Sequence, residues 1–128
     1  MRKLLFIMFI LCTIKCVGKG GSHHVVTATY YNPVESQCSS NPLITADGSK
    51  INLKELKEGK LRWIAISRDL RENYKYGDIV IIESDDYRLS GEWIVRDTMN
   101  SRFKMRIDFL THDKEFMKEP KKVKIHKK

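Results

Sequence analysis

Asp97 and Asp108 stand eleven positions apart in the segment IVRDTMNSRFKMRIDFL, residues 94–110. A strand is expected to end at Arg96, with Asp97 and Thr98 opening a loop and a second strand beginning near Arg106. In that second strand Ile107 and Phe109 share one face, which turns Asp108 to the other. A carboxylate inside an apolar strand costs free energy unless it meets a groove or a partner. If the two strands meet, the carboxylates share one cleft and their repulsion raises one pKa. A raised pKa is what a carboxylic acid needs to donate a proton to a glycosidic oxygen near neutral pH. The plainer alternative is a turn cap and a salt-bridge partner, with Arg96, Arg102 and Arg106 at hand.

Six short segments can position such a pair. Val25 to Tyr31, Arg62 to Ser67, Asp78 to Glu83, Glu92 to Arg96, Arg106 to Leu110 and Lys122 to Ile125 are rich in β-branched and aromatic residues. Only the last alternates cleanly with period two. The apolar runs read as strands buried on both faces or closed in a barrel. Residues 51–58 bring Ile51, Leu53 and Leu56 near one helical face. Residues 112–118 follow Thr111, an expected N-cap, and stop before Pro120. The expected fold is therefore mainly β, a six-stranded closed barrel with one or two short helices, since closure removes exposed sheet edges.

With 128 residues, 41% hydrophobic and 31% charged, the chain holds one core. Its first residues read as something else. Arg2 and Lys3 precede an apolar run from Leu4 to Ile14, followed by Lys15, Cys16 and a Gly-rich stretch. That run is too short for the ~20 apolar residues of a bilayer span and has the layout of an export signal. We read residues 1–18 as signal peptide, 19–24 as linker and 25–128 as the barrel domain. A retained anchor is the alternative. Lysine just before Cys16 is a poor match to a lipoprotein site, so lipidation stays open. The expected location is outside the cell or in its envelope, with no membrane span after processing.

The formal charge is +8, falling to +5 without residues 1–18, and residues 114–128 alone carry +5. The remaining body is close to neutral, which argues against a nucleic-acid partner. The basic tail suits an acidic polymer such as a cell wall, or is simply a solvated end. Past the signal only Cys38 remains, so no disulfide supports the fold. Cys38 has no histidine placed beside it and reads as an idle thiol. Trp63 and Trp93 fit core packing, whereas Tyr31, Tyr74 and Tyr76 are candidate platforms for sugar rings. His23 and His24 lie far in sequence from His112 and His126, so no metal site and no cofactor are expected. A monomer is expected.

The ordered strings TYY (29–31), TADGSKI (45–51), IAIS (64–67), YGDIVII (76–82), VRDT (95–98) and RID (106–108) resemble the three-aspartate domain, a double-psi β-barrel. That domain is similar to the catalytic core of membrane-bound lytic transglycosylase A, and more distantly to rare lipoprotein A, barwin and the expansins. The resemblance spans roughly residues 26–126. Its sharpest part is the D-T pair followed, eleven positions after its aspartate, by the aspartate of R-I-D, which Asp97 and Asp108 reproduce.

The resemblance implies an enzyme that cleaves the β-1,4 bond between N-acetylmuramic acid and N-acetylglucosamine in peptidoglycan strands, leaving a 1,6-anhydromuramyl end. It places the acid/base role on Asp108 and a supporting role on Asp97, with Thr45 bonding the sugar or a carboxylate. Two departures stand out. The loop that carries paired glycines in the family reads Met99 to Met105 here, so that Asn100 and Arg102 become candidate sugar contacts. The strand that reads A-V-D-P there reads Ala65-Ile66-Ser67-Arg68, so Ser67 replaces the third aspartate, with Asp69 two residues on. These departures motivate an alternative, a non-catalytic module that holds cell-wall glycan in the same groove. A scaffold for a protein partner is a third reading.

Overall fold

The computed structural model describes residues 22–34 and 41–128. Within them six strands close into one barrel: β1 (His24–Tyr31), β2 (Trp63–Ile66), β3 (Ile79–Glu83), β4 (Gly91–Thr98), β5 (Arg106–Leu110) and β6 (Lys121–Lys127). Around the barrel the order is β1-β5-β2-β4-β3-β6. The pairs β1/β5 and β2/β4 are parallel and the other four antiparallel. Every predicted strand is present, most with ends shifted by a residue or two. The proposed signal, residues 1–18, and Cys38 lie outside the described residues. No described helix is long and apolar enough to cross a membrane.

Alternation along each strand fills the interior. Val26 and Ala28 of β1, Ile64 and Ile66 of β2, Val80 and Ile82 of β3, and Trp93 and Val95 of β4 all point inward. Ile107 and Phe109 of β5 and Val123 and Ile125 of β6 complete the core. At roughly 25 cal/mol per Å2 of apolar surface removed from water, these side chains are the main stabilising term. In β2 the outward residues are covered too. A second cluster of Tyr31, Ile51, Leu56, Ala65, Met99 and Leu110 lies on the outside of β1, β2 and β5. That double coverage is why the β2 segment reads as a continuous apolar run.

One predicted helix forms and one does not. Helix α1 (Leu53–Lys57) starts at Asn52, whose side chain accepts from the Glu55 N–H at 3.1 Å, and buries Leu56 in the second cluster. Residues 112–118 form turns instead. The carbonyls a helix would use are already taken. Asn32 Nδ2 donates to the Thr111 carbonyl at 2.7 Å and the Asp113 carbonyl at 3.3 Å, and the Tyr30 hydroxyl donates to the Lys114 carbonyl. Thr111 Oγ1 accepts from Asp113 N–H and Asp113 Oδ1 from Glu115 N–H, so each polar side chain closes its own short turn.

Candidate functional site

The site begins with an irregularity in β4. Trp93 and Val95 point into the barrel, and strict alternation would send Asp97 after them. Ile64 of β2 pairs with Val95, but the next residue, Ala65, pairs with Asp97, leaving Arg96 as an extra residue. This β-bulge re-aims the strand end. Asp97 therefore sits beside Ala65 on the outside of the barrel. On its other side Ala65 pairs with Asp108, which in turn pairs with Thr29 of β1. The two aspartates thus flank one alanine on three adjacent strands, their backbones about 10 Å apart at two strand spacings. The sequence had Asp97 leaving the sheet after Arg96; it is instead held inside a strand that continues to Thr98.

Over this face lies a groove of about 810 Å3. Tyr31, Thr45, Asp97, Asn100, Arg102 and Asp108 all line it, so the six residues singled out from the sequence meet in one place. Two further segments build its walls. The turn from Thr45 to Gly48 closes with the Gly48 N–H donating to the Thr45 carbonyl at 3.0 Å, and Gly48 adopts φ 87°, a conformation that suits glycine. The Met99 to Met105 loop is tied at its far end by Asp69, whose Oδ2 accepts from the Met105 N–H at 2.9 Å. Ser67 Oγ accepts from the Arg106 N–H at 3.0 Å. Ser67 and Asp69 thus hold the entry to β5.

Asp97 is held by fixed donors. Its Oδ1 accepts from the backbone N–H groups of Ala46 and Thr98, each at 2.9 Å, and its Oδ2 accepts from the Tyr31 hydroxyl at 3.2 Å. Burial pushes its carboxyl up; these donors pull it back, and the nearby Asp47 charge pushes it up again, leaving it above the ordinary value. Asp47 itself ends below the ordinary value. Its burial is outweighed by hydrogen bonds from Thr45 and Ser49 and by Arg96, 3.3 Å away.

Asp108 has fewer donors. Thr29 Oγ1 donates to its Oδ1 at 2.5 Å, and no donor among the described residues reaches its Oδ2. Burial raises its carboxyl most, Thr29 and Arg106 lower it, and the charge of Asp97 raises it further, for a net upward shift. Both carboxyls thus lie above the ordinary value, and the pair differs in its bonding: Asp97 is held by three donors and Asp108 by one. A carboxyl group that holds its proton above the ordinary range and can give it up and take it back is suited to general acid–base chemistry.

The remaining predicted residues take varied roles. Tyr31 is buried, with 8% of its surface exposed, and acts through its hydroxyl on Asp97 rather than as an open ring face. Thr45 bonds a carboxylate, but that of Asp47, at 2.6 Å. Asn100 accepts from the Arg102 N–H at 3.0 Å, shaping the loop, while the Arg102 guanidinium stacks on Phe103. Trp93 lies in the core as expected, and partly buried Trp63 packs on the second cluster. Tyr74 is no sugar platform: its ring is in the core and its hydroxyl donates to the Ile125 carbonyl. The case against a metal, that the histidines lie far apart in sequence, does not hold in three dimensions, because His23, Glu83 and His126 come together. Thr29, Ala46 and Ala65 were missed as site residues; Thr29 serves through its hydroxyl, Ala46 through its backbone N–H and Ala65 through register, and only the fold brings each to the aspartates.

Tyr31→Phe tests the Asp97 bonding. The variant is expected to lose about 1.5–3 kcal/mol of stability at neutral pH, the usual worth of a hydrogen bond to a charged group. Because that bond favours the ionised form, the loss should shrink as pH falls through the Asp97 titration. Urea melts at several pH values measure it.

No protein-family model matches this sequence, and no curated protein matches it either.

Proposed function

We propose that the groove binds a glycan strand of bacterial peptidoglycan and that Asp108 cleaves it as a lytic transglycosylase. The observation that carries this reading is the asymmetry of the pair: a buried, upward-shifted Asp108 lining the groove beside an Asp97 held by three donors. In the proposed reaction the Asp108 carboxyl protonates the glycosidic oxygen as its bond to the muramyl anomeric carbon breaks. Asp97 supports the positive charge that develops on the ring. The muramyl 6-hydroxyl then attacks that carbon, and its proton passes to the Asp108 carboxylate. A 1,6-anhydro ring closes, Asp108 ends protonated as it began, and no water is consumed. One acid/base group suffices, in contrast to inverting glycosidases, where a second carboxylate activates water.

The closed barrel with two parallel strand pairs is compatible with a double-psi barrel, and the three-aspartate resemblance is read on that basis. An export signal in residues 1–18 would bring the groove to its polymer. The test is digestion of purified peptidoglycan followed by mass spectrometry. The expected products end in anhydromuramic acid, lighter by one water than those of a hydrolase. Walls from several bacteria that release none would leave the enzymatic reading without support.

A second reading, a module that holds glycan without cutting it, draws on the Met99 to Met105 loop. Met99 is buried in the second cluster, and Phe103 carries the guanidinium groups of Arg102 and Arg106, where the family has paired glycines. On that reading wild type and Asp108→Asn sediment equally with cell walls and neither releases product.

A further inference from the structure

We propose that His23, Glu83 and His126 form a binding site for a divalent transition metal, with Zn(II) the ion whose chemistry fits best. The barrel's register brings them together. His24 pairs with Ile125, so His23 falls opposite His126 one step further along the antiparallel β1/β6 ladder. On β6's other side His126 pairs with Ile81, which sets Glu83 two residues along the neighbouring strand. Ile125 and Ile82 point into the barrel, so His126 and Glu83 point outward together.

Their potential ligand atoms all lie within 4.8 Å of one another. Ligands about 2.0–2.1 Å from a tetrahedral zinc sit about 3.3 Å apart, a contraction that rotation of exposed side chains can supply. The imidazole rings of His23 and His126 are already adjacent, with centroids 4.5 Å apart. His126 Nδ1 is buried and makes no hydrogen bond among the described residues; Glu83 Oε2 lies 3.6 Å from it. A buried ring nitrogen without a partner is an unmet demand that a metal would answer. Two imidazoles and one carboxylate are a borderline-soft donor set suited to zinc, with coordination positions left for water. Lys124 is paired with Glu83 in the β3/β6 register and is the cation that would compete for it.

Thr29, the partner of Asp108, is six residues further along β1, about 20 Å at 3.3 Å per residue. The metal would therefore act on the barrel rather than on the groove chemistry. It would bind the start of β1 to β3 and β6, the strands at which the barrel closes.

The test uses the full chain without an affinity tag of histidines, with Cys12, Cys16 and Cys38 changed to serine to remove competing thiolates. Calorimetric titration with Zn(II) is expected to give about one ion per chain and a melting temperature that rises with zinc. His23→Ala, Glu83→Gln and His126→Ala should each weaken binding by about tenfold or more, while His112→Ala leaves it unchanged. His23 precedes β1 and is exposed, so its variant tests the site without disturbing the core. Absence of zinc binding, or binding that none of the three substitutions weakens, overturns the proposal.

Discussion

Asp108→Asn is expected to reduce release of anhydromuramyl product by about 100- to 10,000-fold, the range typical for loss of a general acid–base group. The amide matches the acid in shape and can still accept the Thr29 hydroxyl hydrogen bond through its oxygen. It cannot pass a proton to the leaving oxygen or recover one from the 6-hydroxyl, so both halves of the proposed reaction fail together. The same substitution should make the protein more stable at neutral pH. The folded-state carboxyl of Asp108 lies above its ordinary value, chiefly through burial. The native state therefore holds this proton more tightly than the unfolded chain does, and stability falls as pH rises from the unfolded value towards the native one. Asparagine removes that loss. Wild type and variant should melt alike in acid and separate in favour of the variant as pH rises. Product release within tenfold of wild type would place the acid elsewhere; lost activity with lower stability at neutral pH would point to a damaged fold.

Phe109→Ala is expected to be the most damaging single change to the barrel. Phe109 follows Asp108 but points the opposite way, fully buried, with its ring edge-on to Trp93 at 4.6 Å and tilted against Phe116 at 6.5 Å. Truncating a buried phenylalanine costs about 3–5 kcal/mol through lost transfer energy and the cavity left behind. Small domains have only about 5–15 kcal/mol in total. At about 4–8 °C per kcal/mol, the melting temperature should fall by roughly 12–40 °C. Denaturant melts measure the change, and a loss under 1 kcal/mol would be incompatible with a ring at the barrel centre.

What could be read in advance followed what each residue needs to be understood. The strands were legible because their inward positions carry Val, Ile, Phe and Trp in short runs, and burial is a property the residue types announce. The two aspartates were noticed because one between Ile107 and Phe109 is costly in an apolar strand. Spacing alone left a turn cap and a salt bridge open, and it was the D-T and R-I-D strings that singled them out as a pair. The bulge was not legible. It depends on β2 pairing with β4, a contact between residues some thirty positions apart, and nothing in the order V-R-D marks Arg96 as the extra residue. Thr29 went unrecognised for the same reason, since its tie to Asp108 spans 79 positions. The missing helix at 112–118 shows a local preference overruled, as Asn32 and Tyr30 reach from a distant strand and take carbonyls that the helix required. Tyr74 was misplaced because loop position suggested exposure, whereas its ring turns back under β6 to bond Ile125.

The antiparallel pairing of β1 with β6 puts the entry of the first strand and the exit of the last at the same pole of the barrel, while Tyr31 and the acid pair occupy the other. The eight residues of β1 run between these poles, about 25 Å, so a ligand in the groove lies a strand's length from where the chain enters the barrel and leaves that end untouched.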